Sequence, residues 1–459
     1  PVVHTSVHVP TDAKKPGLAL GMFGQYFNRN ESWAELAKPW IDYLARNSLM
    51  LQQGRNVADI GYFHGEEAPL TALYQKQPIA SAPKTYAYDF VNADALLSAL
   101  TNDGNELVTP GGARYRALYL GGSSRKMTLP VLRKLAELVA GGATVIGFRP
   151  EANPSLAGDA AEFKALADKL WPASEDKPVI ETSDVEAALR SLGVKPAFTY
   201  TGSQPDSAIP FVHRKLADGD SWFLVNQKDR TETIEARFRV TGKAAELWRA
   251  ETGESEPLGY RIEGGQTVVP LTLAADEAVH IVFRKPAQAD ALAIEKRKPA
   301  GLATLSGPWT VAFQPGRGAP ARATFAELKP LDENAAGGIK YFSGIATYTR
   351  DFTAPREWRP GQTLWLDLGE VRELAEVRVN GELAGAPWHA PYRVDIGRVT
   401  KPGRNRLEIK VANLWVNRLI GDAQPGATKI TWTAQPTYRP DAPLRRSGLI
   451  GPVRLLGAR

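Results

Sequence analysis

The spacing of apolar residues changes character along this chain, and each change restricts what the segment can fold into. Between residues 55 and 197, short apolar runs alternate with stretches of helical spacing. Residues 57–63, 86–91, 117–120 and 144–148 read as strands, and 92–100, 128–139, 163–170 and 185–192 as helices. Strands alternating with helices need crossover connections, which predicts a parallel sheet of flavodoxin-like type. From residue 198 the period falls to two. Residues 222–226, 235–240, 245–248 and 280–284 alternate polar and apolar side chains, as a half-buried antiparallel sandwich requires over 198–286. An Ala, Lys and Pro-rich stretch at 287–303 reads as a linker. Period two then returns over 304–459, with Asn380-Gly381 as a hairpin-turn dipeptide.

Residues 1–54 fit neither pattern. A β-type run from Val2 to His8 is followed by a Pro- and Gly-rich loop and then by Leu36, Trp40, Ile41, Leu44, Leu49 and Leu51 at helical spacing. Ser32 and Glu35 have the spacing of a capping box, and Gly54 that of a C-terminal helix stop. One strand and one helix cannot bury their own apolar face. The expectation is therefore the final βα part of a catalytic (β/α)8 barrel, with the other strands upstream of Pro1.

Composition removes several function classes. With no cysteine there is no disulfide, thiolate metal site or cysteine nucleophile. A net charge of +6 with acids and bases interspersed gives no basic block for nucleic acid. No apolar run approaches the roughly 20 residues of a bilayer span. The 11 tryptophans suit sandwich cores, with some left for stacking on sugars.

Two stretches resemble known families. The first runs from Phe27-Asn28-Arg29-Asn30-Glu31-Ser32-Trp33 through Pro39-Trp40-Ile41-Asp42-Tyr43-Leu44 and Leu51-Gln52-Gln53-Gly54 to Tyr62-Phe63-His64-Gly65-Glu66-Glu67. It resembles the late-barrel segment of glycoside hydrolase family 106, the α-L-rhamnosidases. The second comprises Gly369-Glu370-Val371, Val377-Arg378-Val379-Asn380-Gly381 and Val411-Ala412-Asn413-Leu414-Trp415. It resembles the galactose-binding-like jelly roll of family-2 glycosidases. The resemblance implies hydrolysis of terminal α-L-rhamnosides with inversion, a bound calcium ion, and a bacterial, periplasmic or secreted protein, with a cytoplasmic one still open. Inverting chemistry uses two carboxyls about 6.5–9.5 Å apart. No convincing acid and base pair stands in residues 1–54, so the catalytic glutamates are expected upstream, this chain alone is expected to be inactive, and its partners are rhamnose-containing glycosides and the N-terminal part of the same polypeptide.

The expected substrate-binding residues are His4, Ser6, His8, Gln25, Asn28, Arg29, Trp33 and Glu66. His4, Ser6 and His8 share one face of a strand, at the end where barrels place their sites. The alternative for the histidines is loop capping. Gln25, Asn28 and Arg29 offer planar amides and a guanidinium for vicinal hydroxyls, or else helix capping and a salt bridge. Trp33 either stacks on a sugar or is buried at a helix start. Glu66, with Glu67 and His64, follows a strand at the carboxyl edge of the α/β sheet, or lies in a solvated loop. Gly121-Gly122-Ser123-Ser124 has the composition of an anion nest, but a lone Gly-Gly-Ser is a weak signal and a plain strand-to-helix turn is the expected reading. Trp388, His389, Tyr392, Asn413, Trp415 and Asn417 form either a sugar patch on the last sandwich or the alternation of its core and rim. Two rivals stay open: a non-catalytic carbohydrate-binding assembly, and a glycosidase of different specificity.

Overall fold

The computed structural model describes residues 5–6, 25–66, 82–174, 177–202, 204–295, 299–433 and 436–458. It divides into two compact units, residues 46–294 and residues 1–45 with 295–459. β-Structure dominates both.

In the 46–294 unit, Val145–Ile146, Ala117–Leu120, Ile60–Phe63 and Tyr88–Val91 form a parallel sheet in that spatial order. Ile60–Phe63 and Ala117–Leu120 are buried throughout, as central strands covered on both faces should be. One face packs Phe63, Leu118 and Leu120 against Val131, Leu132 and Leu135 of the helix Leu129–Ala140. The other sets Ile60, Tyr62 and Tyr119 against Val185 and Leu189 of the helix Val185–Ser191. The helices Ala93–Ser98 and Val185–Ser191 start where a polar side chain accepts from a free amide. Asn92 accepts from the Ala95 amide at 2.8 Å, and Asp184 from Ala187 at 2.8 Å.

The same unit holds the expected antiparallel sandwich. A five-stranded sheet and a six-stranded sheet enclose Trp222, Phe238, Ile281 and Phe283. One expectation is corrected here. The run 57–63 is not one strand, because Arg55–Asn56 pairs with Lys215 and Arg214 at the sandwich edge, and only Ile60–Phe63 enters the parallel sheet. Gly54 does end the first helix, Lys38–Gln52. Its φ of 57° is left-handed, and an added Cβ would lie 1.9 Å from the Lys215 carbonyl oxygen, so only glycine fits.

The other unit is built on a jelly-roll-like pair of sheets. Six strands, among them Trp309–Phe313, Ile345–Thr353, Arg404–Ala412 and Leu374–Val379, face a four-stranded sheet of Pro299–Thr304, Arg454–Ala458, Leu364–Asp367 and Arg393–Asp395. Trp309, Val311, Tyr348, Leu366, Val377 and Ile409 fill the space between. Asn380 and Gly381 both have positive φ, 55° and 86°, and turn Leu374–Val379 into Glu382–Gly385, as their dipeptide predicts. The stretch expected as a linker is partly strand. Ala291–Leu292 pairs with Tyr260 and Arg261, and Pro299–Thr304 with the C-terminal strand.

Candidate functional site

Three of the residues expected to touch sugar, Asn28, Arg29 and Trp33, lie on one loop of the jelly-roll unit. Thr5–Ser6 and Gln25–Tyr26 pair in parallel, Thr5 opposite Gln25 and Ser6 opposite Tyr26. The register brings Ser6 beside the start of the loop that carries Asn28 and Arg29. His4 and His8 lie outside the described residues, as does Glu67.

The loop is tied down at three points. Asn28 turns it, its Oδ1 accepting from the Asn30 amide at 2.9 Å while its carbonyl accepts from the Glu31 amide at 3.2 Å. Ser32 Oγ donates to the Asn413 carbonyl. Trp415 Nε1 donates to the Asn30 carbonyl at 3.2 Å. Leu36 is then buried against Ile345 and Ala412. These contacts correct the capping-box expectation, because the Ser32 hydroxyl is spent on the jelly roll. Ala34–Leu36 forms a 3-10 turn with no side-chain cap, and the α-helix begins only at Lys38.

Trp33 meets Phe27 and Trp40, with ring centroids 6.0 Å away in each case. Phe27 and Trp40 are edge-on at 5.6 Å. The three rings pack mainly on one another, and Trp33 also touches the Leu36 cluster, so its helix-start packing role is observed. Arg29 is exposed.

Two polar atoms of this loop are buried without partners, Asn28 Nδ2 and Glu31 Oε1. Glu31 is 9% exposed, and burial pushes its carboxyl up to about 7. Among the described residues no ion pair offsets the loss of water there. The Arg317 guanidinium lies 4.2 Å over the Trp415 ring and is held below its usual range by burial. Sequence reasoning missed both. Glu31 read as one polar residue among several before a helix, on a loop whose neighbours Asn30 and Ser32 are held by residues nearly 400 positions away.

Glu66 belongs to the other unit and has structural work. Its oxygens accept from the Thr128 amide at 2.7 Å and the Thr128 hydroxyl at 2.9 Å, at the start of the helix Leu129–Ala140. These bonds give Glu66 a structural part at that helix start. The Gly121–Ser124 turn is no anion nest. The amides of Gly121, Gly122, Ser123 and Ser124 go to Phe63 O, Tyr62 Oη, His64 O and Gly121 O. On the last sandwich, Asn413 bonds Gly344 and Phe342, Asn417 bonds Arg445, and Tyr392 bonds the Glu373 carbonyl. They are core and rim. Trp388 remains half-buried beside Tyr43 at 5.1 Å and His389 at 4.4 Å.

Calcium takes six to eight oxygen ligands. Among the described residues no three His, Asp or Glu side chains gather as a metal site, so the described part does not fit the implied ion. Among those residues, too, no helix is long and apolar enough to cross a membrane.

Residues 340–443 match the family described as the glycosyl hydrolase 2 galactose-binding domain-like family. Residues 1–262, more than half of the chain, match the glycoside hydrolase 106 family, described as alpha-L-rhamnosidase, and the chain belongs to that family. The solved rhamnosidase from Novosphingobium sp. PP1Y is 59% identical, with a TM-score of 0.94 over 99% of this chain and 44% of its own. A Formosa agariphila protein, provisionally named a beta-glucuronidase, is 25% identical over 99% of this chain and 60% of its own length. A Ruminococcus gnavus beta-glucuronidase structure aligns over 36% of this chain and 30% of its own at 25% identity, with a TM-score of only 0.27. The chain thus spans less than two thirds of the first two relatives.

Proposed function

We propose that this chain serves an α-L-rhamnosidase that releases terminal rhamnose from glycosides. The observation that carries this reading is the family match over residues 1–262, joined to 59% identity with a solved rhamnosidase along nearly the whole chain. The proposed reaction is single-step inversion, with one carboxyl protonating the leaving oxygen and another activating water. We assign that pair to the part of the rhamnosidase's length that this chain does not align with. Asn28 and Arg29 contribute to a wall of the sugar subsite in this proposal, and His4, Ser6, His8 and Gln25 are assigned to it from the sequence alone.

The finer architecture belongs to the same proposal. Residues 1–54 are the closing βα part of a (β/α)8 barrel, and the four-stranded parallel sheet is a flavodoxin-like domain. A calcium ion would take its ligands from outside the described residues, and no step here depends on it. A periplasmic or secreted location suits a glycoside substrate.

The test uses the whole polypeptide with p-nitrophenyl α-L-rhamnoside, following the first-formed anomer by NMR. Release of β-L-rhamnose is expected. Release of the α-anomer removes inversion, and absence of hydrolysis removes the enzyme reading in favour of a carbohydrate-binding assembly. The Formosa relative's name supports one rival specificity, so p-nitrophenyl β-D-glucuronide is the paired substrate. Faster turnover of the glucuronide would reverse the assignment.

A further inference from the structure

Within the 46–294 unit, five cationic side chains gather around two adjoining cavities where the parallel sheet meets the antiparallel sandwich. Arg239 belongs to both. It follows the sandwich strand Glu232–Phe238 and is fixed there, donating to Asp59 Oδ1 at 2.8 Å and to the Lys195 carbonyl. Arg116 and Lys195 also line the smaller cavity, of about 470 Å³. Lys215 and Lys243 line the larger, of about 540 Å³. Both volumes fall in the ordinary range of ligand sites, roughly 300–1,000 Å³.

The positive charge is not cancelled locally. Among the described residues no carboxylate lines the smaller cavity. Two line the larger, and both are engaged, Asp218 with Arg284 at 2.6 Å, and Asp220 with Lys215 at 2.8 Å and His213 at 2.9 Å. Arg116 and Arg239 have carboxylate partners too, Glu106 at 2.5 Å and Asp59 at 2.8 Å. Lys195 and Lys243 have none among the described residues. Backbone carbonyls hold them instead. Lys195 Nζ donates to Gly264 O at 2.6 Å, and Lys243 Nζ to Arg284 O at 2.9 Å and Asp218 O at 3.1 Å. An ammonium has three N–H donors, so Lys195 keeps two and Lys243 one. A surface lysine normally retains its rotamer freedom. Here two ammoniums are already held at the walls of cavities with charge and donors to spare, which lowers the ordering cost of binding an anion.

The walls select among anions. Asn105 and Thr144 of the smaller cavity and Thr241 of the larger add amide and hydroxyl groups. Leu192, 48% exposed, gives the smaller cavity an apolar patch of the kind that meets the C–H face of a sugar ring. Among the described residues no aromatic side chain lines either cavity, which removes the base stacking that single-stranded nucleic acid relies on. A held ammonium in each of two adjoining cavities suits a chain with repeated charges better than one small ion.

We propose that this seam is a binding groove for an acidic glycan, with Lys195 and Lys243 each receiving a carboxylate of the sugar chain. The choice of a glycan among polyanions rests on the glycosidase reading. The groove itself rests on the two held ammoniums that have no carboxylate partner.

The experiment measures tetragalacturonate binding to the whole polypeptide by calorimetry at neutral pH, for wild type, K195Q, K243Q, the double variant and K401Q. Glutamine keeps an amide donor for the carbonyls and loses the charge. Lys401 is exposed in the other unit, so K401Q removes the same charge from elsewhere. Each single groove variant should weaken binding at least about threefold and the double variant at least about tenfold, with K401Q equal to wild type. Raising salt from about 20 to about 200 mM should weaken wild-type binding, and neutral cellotetraose should not bind. A wild type that binds no tetragalacturonate at millimolar concentration overturns the groove, and so does a double variant that binds as well as K401Q. Inorganic phosphate bound as tightly as tetragalacturonate would make this a single-ion site. An oligothymidylate bound more tightly, with the same loss in the double variant, would make it a nucleic-acid site. Either result overturns the glycan. Hydrolysis of p-nitrophenyl rhamnoside is followed in parallel. Hydrolysis without tetragalacturonate binding sinks the groove alone, and binding lost in the double variant without any wild-type hydrolysis sinks the hydrolase reading alone.

Discussion

The indole Nε1 of Trp415 lies 3.2 Å from the Asn30 carbonyl oxygen and joins a loop to the start of the helix Val416–Asp422, 385 residues later in the sequence. Asn30 is half-buried, so water replaces this bond poorly. Trp415→Phe keeps an aromatic surface beneath Arg317 but leaves that carbonyl without its donor. The expected loss is about 1–2 kcal/mol, read as a lower urea midpoint at unchanged slope. An unchanged midpoint would show that the loop is held by Ser32 and Leu36 alone.

Glu31 makes stability fall as pH rises. Its carboxyl ionises at about 7 in the folded chain and at 4.5 when solvated. The folded state therefore binds the proton more tightly between those values. Stability is unaffected by this group below pH 4.5 and declines through pH 7, by about 3 kcal/mol in all. Denaturation of E31Q across pH 4.5–8 should lack this decline. The same slope in both proteins would place the titration elsewhere.

His280 acts with the opposite sign, in the other unit. It is buried, its Nε2 2.9 Å from Asn47 Oδ1 and its ring 4.9 Å from Phe223. Burial holds its ionisation down to about 4, below the ordinary 6.5. The neutral ring contributes fully above pH 6.5, and that contribution is lost as pH falls towards 4, again by about 3 kcal/mol. Acidification from pH 7 to 4.5 should thus favour residues 1–45 with 295–459 and weaken residues 46–294. Calorimetry at the two pH values should show the melting transitions of the units moving apart on acidification, and His280→Gln should reduce the divergence. Transitions that shift together would refute opposite local slopes.

Local signals were read correctly where one backbone position decides the outcome. Asn380-Gly381 needs two positive φ angles, and Gly54 has a carbonyl where any Cβ would stand. Period two placed the sandwich strands to within a few residues, because alternation directly reports a half-buried pleat. The failures share a long-range origin. Ser32 and Glu35 have capping-box spacing, but the Asn413 carbonyl, 381 residues on, takes the hydroxyl. Residues 57–63 read as one strand, but the sandwich strand Phe211–Lys215 pairs with the chain just ahead of that run. The 287–303 segment has linker composition, and only the partner strands Tyr260–Glu263 and Arg454–Ala458 make parts of it β. In the site, Asn28 and Arg29 were legible as polar groups at a loop, whereas the isolation of the Glu31 carboxyl oxygen depends on which side chains do not reach it.

Glu66 should matter for folding and not for turnover. It satisfies the first free amide and the hydroxyl of Thr128, where the helix Leu129–Ala140 has no side-chain cap of its own. Glu66→Ala is expected to destabilise by about 1–2 kcal/mol with kcat/KM for p-nitrophenyl rhamnoside unchanged. A tenfold loss of kcat/KM without a change in melting temperature would return Glu66 to the sugar pocket.

Arg29 should behave in the reverse way. It is exposed on a loop whose neighbours are fixed by Asn413 and Trp415, and no ion pair engages it among the described residues. Its removal therefore leaves no packing defect and no stranded carboxylate. A guanidinium can grip two adjacent hydroxyls at once, which an ammonium cannot do with the same geometry. Arg29→Ala should lower kcat/KM at least tenfold, equivalent to about 1.4 kcal/mol of transition-state contact, with the melting temperature unchanged. Arg29→Lys should recover less than half of that free energy. Full recovery by lysine would reduce the role of Arg29 to charge alone, and unchanged kinetics in the alanine variant would remove it from the subsite wall.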